Sequence, residues 1–293
     1  MARFGRVLTA MVTPFDAGGA LDLDAAATLA RWLVAHGNDG VVVAGTTGES
    51  PTLTPAEHLD LVGAVRAAVP DAVVVAGAGS NDTAHAVRMT EAVTEMGVDG
   101  VLSVTPYYNR PSQAGLLDHY AAIAAATDLP IVLYDIPVRT GRKVSTATIL
   151  ALAERHPNVV AVKDAAGDPA ATAALVARAP AGFEVYSGDD GLTLPLLAVG
   201  AVGVVGVATH WAGTLVAEMV AAFVAGDVER ARTLNARLIP SYQYENGDTD
   251  PNPVPAKAMM RLLGLPVGRC RPPMGPESDD LADRARAVLD GLA

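Results

Sequence analysis

The segment VVAVKDAAG, residues 159–167, places a lysine in the middle of a valine-rich run. Such a run is typical of a parallel strand that is covered on both faces. Lysine is among the residues least often buried, because removing its ammonium from water without a partner is costly. This chain also uses lysine sparingly, since only Lys143, Lys163 and Lys257 are lysines among its 21 basic residues. A buried lysine can lose its proton and become a nucleophilic amine, whereas arginine stays charged, so the segment predicts a strand that carries a reactive group.

Seven further apolar runs resemble this one, and longer helical patterns separate them. The eight runs lie at residues 6–14, 40–49, 72–79, 100–108, 130–137, 159–165, 184–190 and 201–209. One intervening segment opens with Thr54-Pro55-Ala56-Glu57, which combines an N-cap, a proline at the first helical position and a capping-box glutamate. Eight strand–helix repeats at a spacing of about 30 residues predict an α/β fold, the (β/α)8 TIM barrel.

The barrel is predicted to occupy residues 1–225 as the catalytic domain, and residues 226–293 to form a C-terminal helical domain. That tail contains three helical patterns, DVERARTLNARLIPSYQ, PAKAMMRLLGL and ESDDLADRARAVLDGLA. A doubly wound open sheet is the alternative architecture. It fits less well, because the nearest dinucleotide-binding pattern has Gly77 and Gly79 but Asp82 where a third glycine is needed.

Composition limits the compartment and the partners. A formal net charge of −11 argues against binding to nucleic acid or to an anionic membrane surface. No apolar run is long enough to span a membrane, and the N-terminus has no signal-peptide layout. The single cysteine, Cys270, allows no internal disulfide, which is in keeping with a reducing cytoplasm. We therefore expect a cytoplasmic protein. The six histidines lack a metal-binding spacing, so we also expect that the protein uses no metal.

The polar residues of the chain cluster where the predicted strands end. They form GTTGES (45–50), TPYYNR (105–110), YDIPVRTG (134–141), Lys163 itself and YSGDD (186–190). A TIM barrel brings the carboxyl ends of its strands round one mouth, where its active site lies. An apolar setting lowers the pKa of a lysine, and a neutral amine in a pocket is what Schiff-base catalysis requires. We therefore expect Lys163 to form an imine with a carbonyl substrate.

Other interpretations exist for several of these residues. Lys163 could be neutralised by a carboxylate, although its neighbour Asp164 should point to the opposite face of the strand. The GTTGES turn could bind a small carboxylate through backbone N–H groups, or it could be an ordinary strand-to-helix turn. Tyr107 and Tyr108 could simply pack at the rim of the barrel.

Taken together, the motifs resemble one known family. GTTGES, TPYYNRPSQ, LYDIPVRTG, the strand-borne Lys163, YSGDD and PNPVPAK are similar to those of the dihydrodipicolinate synthase family, within the class I pyruvate-dependent lyase superfamily. They follow the family's order and spacing. The resemblance implies that Lys163 attacks the ketone of pyruvate, and that the imine becomes an enamine that attacks aspartate 4-semialdehyde on the diaminopimelate route to lysine. It implies no metal and no organic cofactor.

The resemblance also implies a proton relay. Thr47 matches a threonine that binds pyruvate and passes protons, and Thr46 matches another member of that relay. Tyr134 matches the proton donor and acceptor beside the imine. Tyr108 matches a relay tyrosine that a neighbouring subunit inserts, which implies a homotetramer built as a dimer of dimers.

Three further positions are implied to bind substrate. Arg139 matches an arginine at the site entrance that steadies the carboxylate of the second substrate. Gly188 and Val205 match positions that line the pocket, Val205 through its backbone.

The chain departs from the family at some positions around the site. Asp135 stands where many members have asparagine, and Gly206 replaces a frequent serine. Some members bind lysine through a histidine and a glutamate, at positions occupied here by Pro55 and His85. The resemblance therefore predicts weak or absent inhibition by lysine, which an assay at millimolar lysine would check.

Two other functions compete with this one. A sister Schiff-base aldolase or lyase would act on a 2-keto-3-deoxy sugar acid or on sialic acid, but the sialate branch usually has Ser-Thr where this chain has Thr46-Thr47. Arg139 and the adjacent tyrosines 107 and 108 also favour the synthase. A barrel that binds keto acids without turnover is the third hypothesis, and it does not explain the relay residues, because a binder needs no proton transfer.

Overall fold

The computed structural model describes residues 2–292, in which eight short strands alternate with helices. The strands are β1 Val7–Ala10, β2 Gly40–Val43, β3 Val73–Gly77, β4 Gly100–Val104, β5 Ile131–Asp135, β6 Val159–Asp164, β7 Glu184–Ser187 and β8 Gly203–Gly206. They form a closed barrel in chain order, and their ladders are parallel. The predicted (β/α)8 TIM barrel is confirmed, and the open doubly wound sheet is excluded.

The helices of the barrel lie between the strands, at the positions of the amphipathic patterns. They are α1 Leu23–Ala35, α2 Pro55–Ala68, α3 Thr83–Thr94, α4 Gln113–Ala124, α5 Pro137–Thr140, α6 Thr146–Arg155, α7 Pro169–Val176, α8 Thr193–Ala198 and α9 Thr209–Val224. The predicted capping box at α2 is confirmed, since Thr54 Oγ1 accepts from Glu57 N and the Glu57 carboxylate accepts from Thr54 N. Asp22, Ser112 and Asp168 cap α1, α4 and α7 in the same way, by accepting from N–H groups of the first turn.

Three helices follow the barrel and share an apolar core. They are α10 Val228–Tyr244, α11 Val254–Leu262 and α12 Leu281–Leu292, close to the three helical patterns of the tail. Their core includes Tyr244, Met259, Leu281 and Val288, and Trp211 of α9 packs against it. The predicted C-terminal helical region is therefore present.

The residues group by their contacts into two compact units. The first contains residues 2–6 and 75–205, and the second contains residues 7–74 and 206–292. The predicted boundary between a domain of residues 1–225 and one of residues 226–293 stays a prediction, and Met1 and Ala293 lie outside the described residues. None of the helices within residues 2–292 is long and apolar enough to cross a membrane.

Candidate active site

Lys163, in the first unit, lies near the end of β6 and is only 4% exposed. All six residues of β6 are buried, so the valine-rich run is a covered strand as predicted. In the ladders on either side, Lys163 pairs with Tyr134 of β5 and with Tyr186 of β7. Its Nζ lies 4.5 Å from the centre of the Tyr134 ring. A primary amine is thus held over an aromatic face at the carboxyl end of a buried strand.

The carboxylate of Asp164 is directed to other groups. Its Oδ2 accepts from Thr172 Oγ1 at 2.6 Å, and its Oδ1 accepts from Ala166 N at 3.0 Å. These bonds support the prediction that Asp164 points away from the face that carries Lys163.

Gly188, just after β7, passes directly beside the lysine side chain. A Cβ at this position would lie 2.9 Å from Lys163 Cγ and 3.0 Å from Lys163 Cε. The backbone is held there by a 2.8 Å hydrogen bond from Gly188 N to Asp164 O. Because any larger residue would displace the lysine chain, this position requires glycine. The structure therefore brings Gly188 to Lys163, while Val205, the other predicted lining residue, lies buried in β8.

Tyr134 is buried, and Thr105 fixes its backbone. Both the N–H and the hydroxyl of Thr105 donate to Tyr134 O at 2.9 Å. Tyr120 in turn donates its hydroxyl to Thr105 Oγ1 at 3.2 Å. The sequence placed Thr105 in a strand-end motif but assigned it no role, since nothing in a local pattern shows which carbonyl a buried threonine binds.

Asp135, next to Tyr134, carries a buried carboxylate and stands where many members of the family that the motifs resemble have asparagine. It accepts from Val144 N at 3.0 Å and lies 3.5 Å from Lys143 Nζ. Burial raises the pKa of Asp135 to about 6, while the hydrogen bond from Val144 and the charge of Lys143 act in the opposite direction. A carboxylate at this position is therefore close to changing its charge near neutral pH.

Arg139 and Tyr108 lie outside this buried group. Arg139 is exposed in the short helix α5, which begins with Pro137 and ends at Gly141 in the left-handed conformation, as the framing residues predicted. Tyr108, in the loop after β4, is 91% exposed and has a positive φ of 72°. The preceding residue, Tyr107, is half-buried, and its carbonyl accepts from Asn81 Nδ2 at 3.2 Å.

The second unit contains the GTTGES turn, in which Thr47 is buried and Thr46 is half-buried. Two N–H groups of the turn are used inside it, because Glu49 N donates to Thr46 O and Ser50 N donates to Gly45 O. These two groups are not the anion-binding donors that the sequence suggested.

Two residues of the PNPVPAK motif bind this turn, although the sequence assigned neither a role. Asn252 Nδ2 donates to Thr47 Oγ1 at 2.9 Å, and Lys257 Nζ forms a 2.7 Å ion pair with Glu49 Oε1. The available signal was the motif itself, a proline-rich stretch that contains Asn252 and ends in Lys257, inside a helical tail.

A metal site in a protein requires several His, Cys, Asp or Glu side chains grouped together. In the part of the chain that the structure describes, no group of three or more His, Cys, Asp or Glu side chains is arranged to hold a metal ion.

Known proteins resemble this chain over nearly its whole length. The sequence model of the dihydrodipicolinate synthetase family matches residues 3–291. The 4-hydroxy-tetrahydrodipicolinate synthase of Moorella thermoacetica is 51% identical over 288 residues, 98% of each chain. That of Acidothermus cellulolyticus is 52% identical over 293 residues, which cover 100% of this chain and 92% of the relative.

Solved structures agree with the sequence relatives. The lysine-bound crystal structure of dihydrodipicolinate synthase from Cyanidioschyzon merolae has a TM-score of 0.96 at 42% identity, with 99% of each chain covered. The enzyme from Bacillus anthracis has a TM-score of 0.95, also at 42% identity and 99% coverage of each chain. The motifs, the barrel and these likenesses agree, and the chain belongs to the dihydrodipicolinate synthetase family.

Proposed function

We propose that this chain condenses pyruvate with L-aspartate 4-semialdehyde, the 4-hydroxy-tetrahydrodipicolinate synthase reaction for which its relatives are named. Membership of the family makes it a Schiff-base-forming lyase of amino-acid biosynthesis, as the sequence predicted. The observation that supports the proposal most directly is Lys163, a buried amine over the Tyr134 ring with Gly188 alongside. The proposed compartment is the cytoplasm.

In the proposed reaction, Lys163 supplies the covalent step. Its neutral amine attacks C2 of pyruvate, and the ketone oxygen leaves as water after it has been protonated. Loss of a proton from C3 of the imine then gives an enamine. The enamine carbon bonds to the aldehyde carbon of the second substrate, whose oxygen becomes a hydroxyl. The amino group of that substrate finally attacks C2, which closes the ring and releases the lysine amine.

Proton transfers accompany nearly every one of these steps, so the reaction needs a relay. We assign the relay to Tyr134, Thr47, Thr46 and Tyr108. Thr47 also binds the pyruvate carboxylate, and Arg139 binds the carboxylate of the second substrate. Gly188 and the backbone of Val205 line the pocket.

We further propose that the enzyme is a homotetramer, a dimer of dimers, in which Tyr108 serves the site of a neighbouring subunit. Its support is the exposure of this large aromatic side chain on a loop with hydrogen bonds of its own, such as the 2.8 Å bond from Asn109 Nδ2 to Asn81 O. Mixed subunits of Lys163→Ala and Tyr108→Phe test the sharing. Hybrids should regain part of the activity that neither variant has alone, whereas a relay within one chain predicts no gain.

Two experiments test the activity. A progress curve with pyruvate and aspartate 4-semialdehyde should show product formation, and sialic acid and 2-keto-3-deoxygluconate should not be cleaved. Borohydride reduction in the presence of pyruvate, followed by peptide mass mapping, should place the adduct on the peptide that contains Lys163. Cleavage of either sugar acid at a higher kcat/KM would favour the sister aldolase instead, and an adduct on another peptide would refute the mechanism.

A further inference from the structure

The PNPVPAK motif, residues 251–257, belongs to the C-terminal helical region and yet contacts the GTTGES turn at two points. Asn252 donates to the hydroxyl of Thr47, and Lys257 pairs with Glu49. Asn252 is 205 positions later in the chain than Thr47, and both side chains are buried. The threonine hydroxyl is therefore held by a residue from outside its own turn.

Asn252 is itself anchored on both sides. Its backbone N–H donates to Asn246 Oδ1 at 3.1 Å, and helix α11 begins two residues after it. Two residues before it, the buried carboxylate of Asp250 accepts from Ser278 N at 2.9 Å and from the guanidinium of Arg284. Because the segment is tied down before and after Asn252, the amide has a fixed position relative to the rest of the tail.

The direction of this hydrogen bond has a chemical consequence. A threonine hydroxyl has one proton and two acceptor lone pairs, whereas the Nδ2 of asparagine can only donate. With the amide occupying one lone pair, Thr47 cannot direct its proton at Asn252 Nδ2. The hydroxyl proton and the second lone pair must lie along the remaining directions.

We propose that Asn252 is a positioning residue, whose amide sets the direction in which the Thr47 hydroxyl gives and takes protons. The inference rests on the proposed function, in which Thr47 is part of the relay. Asn252 acts through Thr47 and carries no proton of the reaction, because a carboxamide neither gains nor loses one at neutral pH. Lys257 in the same motif has a different role. It fixes the turn through its ion pair with Glu49, whereas Asn252 binds the Thr47 hydroxyl oxygen itself.

Asn252→Asp tests the inference most directly, since the two side chains have nearly the same shape. The carboxylate cannot donate, so it must accept the Thr47 proton and thereby reverse the hydrogen bond. Asn252→Ala removes the bond altogether. Asn246→Asp is the matched control, because it makes the same change of charge in the same loop, at an exposed residue, and keeps an oxygen that can accept from Asn252 N.

The first readout is the exchange of pyruvate methyl protons for deuterium, followed by NMR at saturating pyruvate. It requires imine and enamine formation but no second substrate. We expect the exchange rate and kcat to fall by about 10- to 100-fold in both Asn252 variants. A misdirected hydroxyl should lose only part of the rate that general acid–base catalysis contributes. Melting temperatures should stay within a few degrees, and Asn246→Asp should match the unmodified enzyme.

The second readout is a double-mutant cycle with Thr47→Val. If Asn252 acts through the hydroxyl, Asn252→Asp should cost less than about twofold in exchange once that hydroxyl is gone. Full loss in the Thr47→Val background, or exchange within twofold of the unmodified enzyme in both variants, would overturn the inference. So would a failure of both Asn252 variants to fold while Asn246→Asp folds, because Asn252 would then be a structural anchor.

The unmodified enzyme separates this inference from the proposed function. Exchange without condensation would mean that the second substrate is wrong, and the variants would still decide the role of Asn252. Neither exchange nor condensation would mean that the proposed function and this inference fall together.

Discussion

The two buried lysines of this chain lie in unlike surroundings. Lys257, on helix α11, is fully buried, and its Nζ lies 2.7 Å from Glu49 Oε1 and 3.0 Å from Arg269 O. Burial lowers the pKa of Lys257, and the Glu49 carboxylate opposes that change. Lys163, on β6, lies over Tyr134, and its neighbour Asp164 directs its carboxylate to Thr172. Burial is therefore common to both lysines and does not by itself mark the reactive one.

The aromatic rings beneath the two lysines sharpen the difference. Lys257 Nζ lies 4.2 Å from the centre of the Phe15 ring, and Lys163 Nζ lies 4.5 Å from that of Tyr134. The geometry is nearly the same, but only the ring beneath Lys163 has a hydroxyl. The lysine paired with Glu49 stabilises the fold, and the lysine over the Tyr134 ring is the one to which we assign the chemistry.

Removal of Lys163 should have the largest effect on activity. We expect Lys163→Ala to lower kcat on the order of 10⁴-fold or more, because no other group can form the covalent intermediate. Circular dichroism should show that the variant stays folded. Lys143→Ala, at a partly exposed lysine, is the control and should retain activity. Undiminished turnover in Lys163→Ala would end the assignment.

Removal of Lys257 should instead act on stability. Lys257→Met leaves the Glu49 carboxylate buried without its ion pair, so we expect the free energy of unfolding to fall by about 3–5 kcal/mol. Urea unfolding monitored by circular dichroism measures it. The double variant Glu49→Gln/Lys257→Met should recover much of the loss, and losses that simply add would show that the pair is not coupled.

The rings provide a matched pair of substitutions. Tyr134→Phe should lower kcat by about 10²-fold or more, because it removes the proposed proton donor and keeps the ring. Its melting temperature should change little. Phe15→Leu should leave kcat intact and cost about 1–3 kcal/mol of stability, because it removes the cation–π contacts with Lys257 and Arg271 and changes a fully buried side chain. Equal losses of kcat in the two variants would contradict the distinction between the lysines.

A pH-dependent effect concerns the carboxylate of Asp135, on the strand beside Lys163. Its folded pKa, about 6, lies above its ordinary value of 3.8, so between those pH values the folded protein binds more protons than the unfolded chain. The free energy of unfolding should therefore fall as pH rises through this window, by about 3 kcal/mol in total.

Asp135→Asn should remove this dependence, because the amide stays neutral and can still accept from Val144 N. The variant should be more stable than the parent at pH values above about 7, and the difference should vanish below about pH 4. Thermal unfolding across that range measures it. Parallel stability curves for the two proteins would show that the carboxylate is not buried as described.

The sequence was sufficient to predict the barrel and the position of Lys163 on a covered strand. Valine-rich runs report burial on both faces, and parallel strands in chain order bring Tyr134 beside Lys163 without any further information. Gly188 of YSGDD also lies beside Lys163, because it follows the next strand of the barrel.

Contacts between segments that are distant in the chain could not be predicted from the sequence. Asn252 binds Thr47 and Lys257 binds Glu49 from some two hundred positions away, and no periodic pattern reports which side chains meet over such a separation. Thr105 was missed because its role depends on the direction of one hydroxyl. The pKa of Asp135 depends on burial in three dimensions. The sequence therefore showed only that an aspartate stands where many family members have asparagine.

The burial of Lys163 and Lys257 leaves Lys143, 41% exposed, as the accessible lysine of the chain. An amine-directed fluorophore used sparingly on the native enzyme should thus attach, apart from the α-amino group, at one side chain. That attachment point follows α5, the helix bearing Arg139, by three residues, so a dye there could report movement of the segment during turnover without any engineered cysteine.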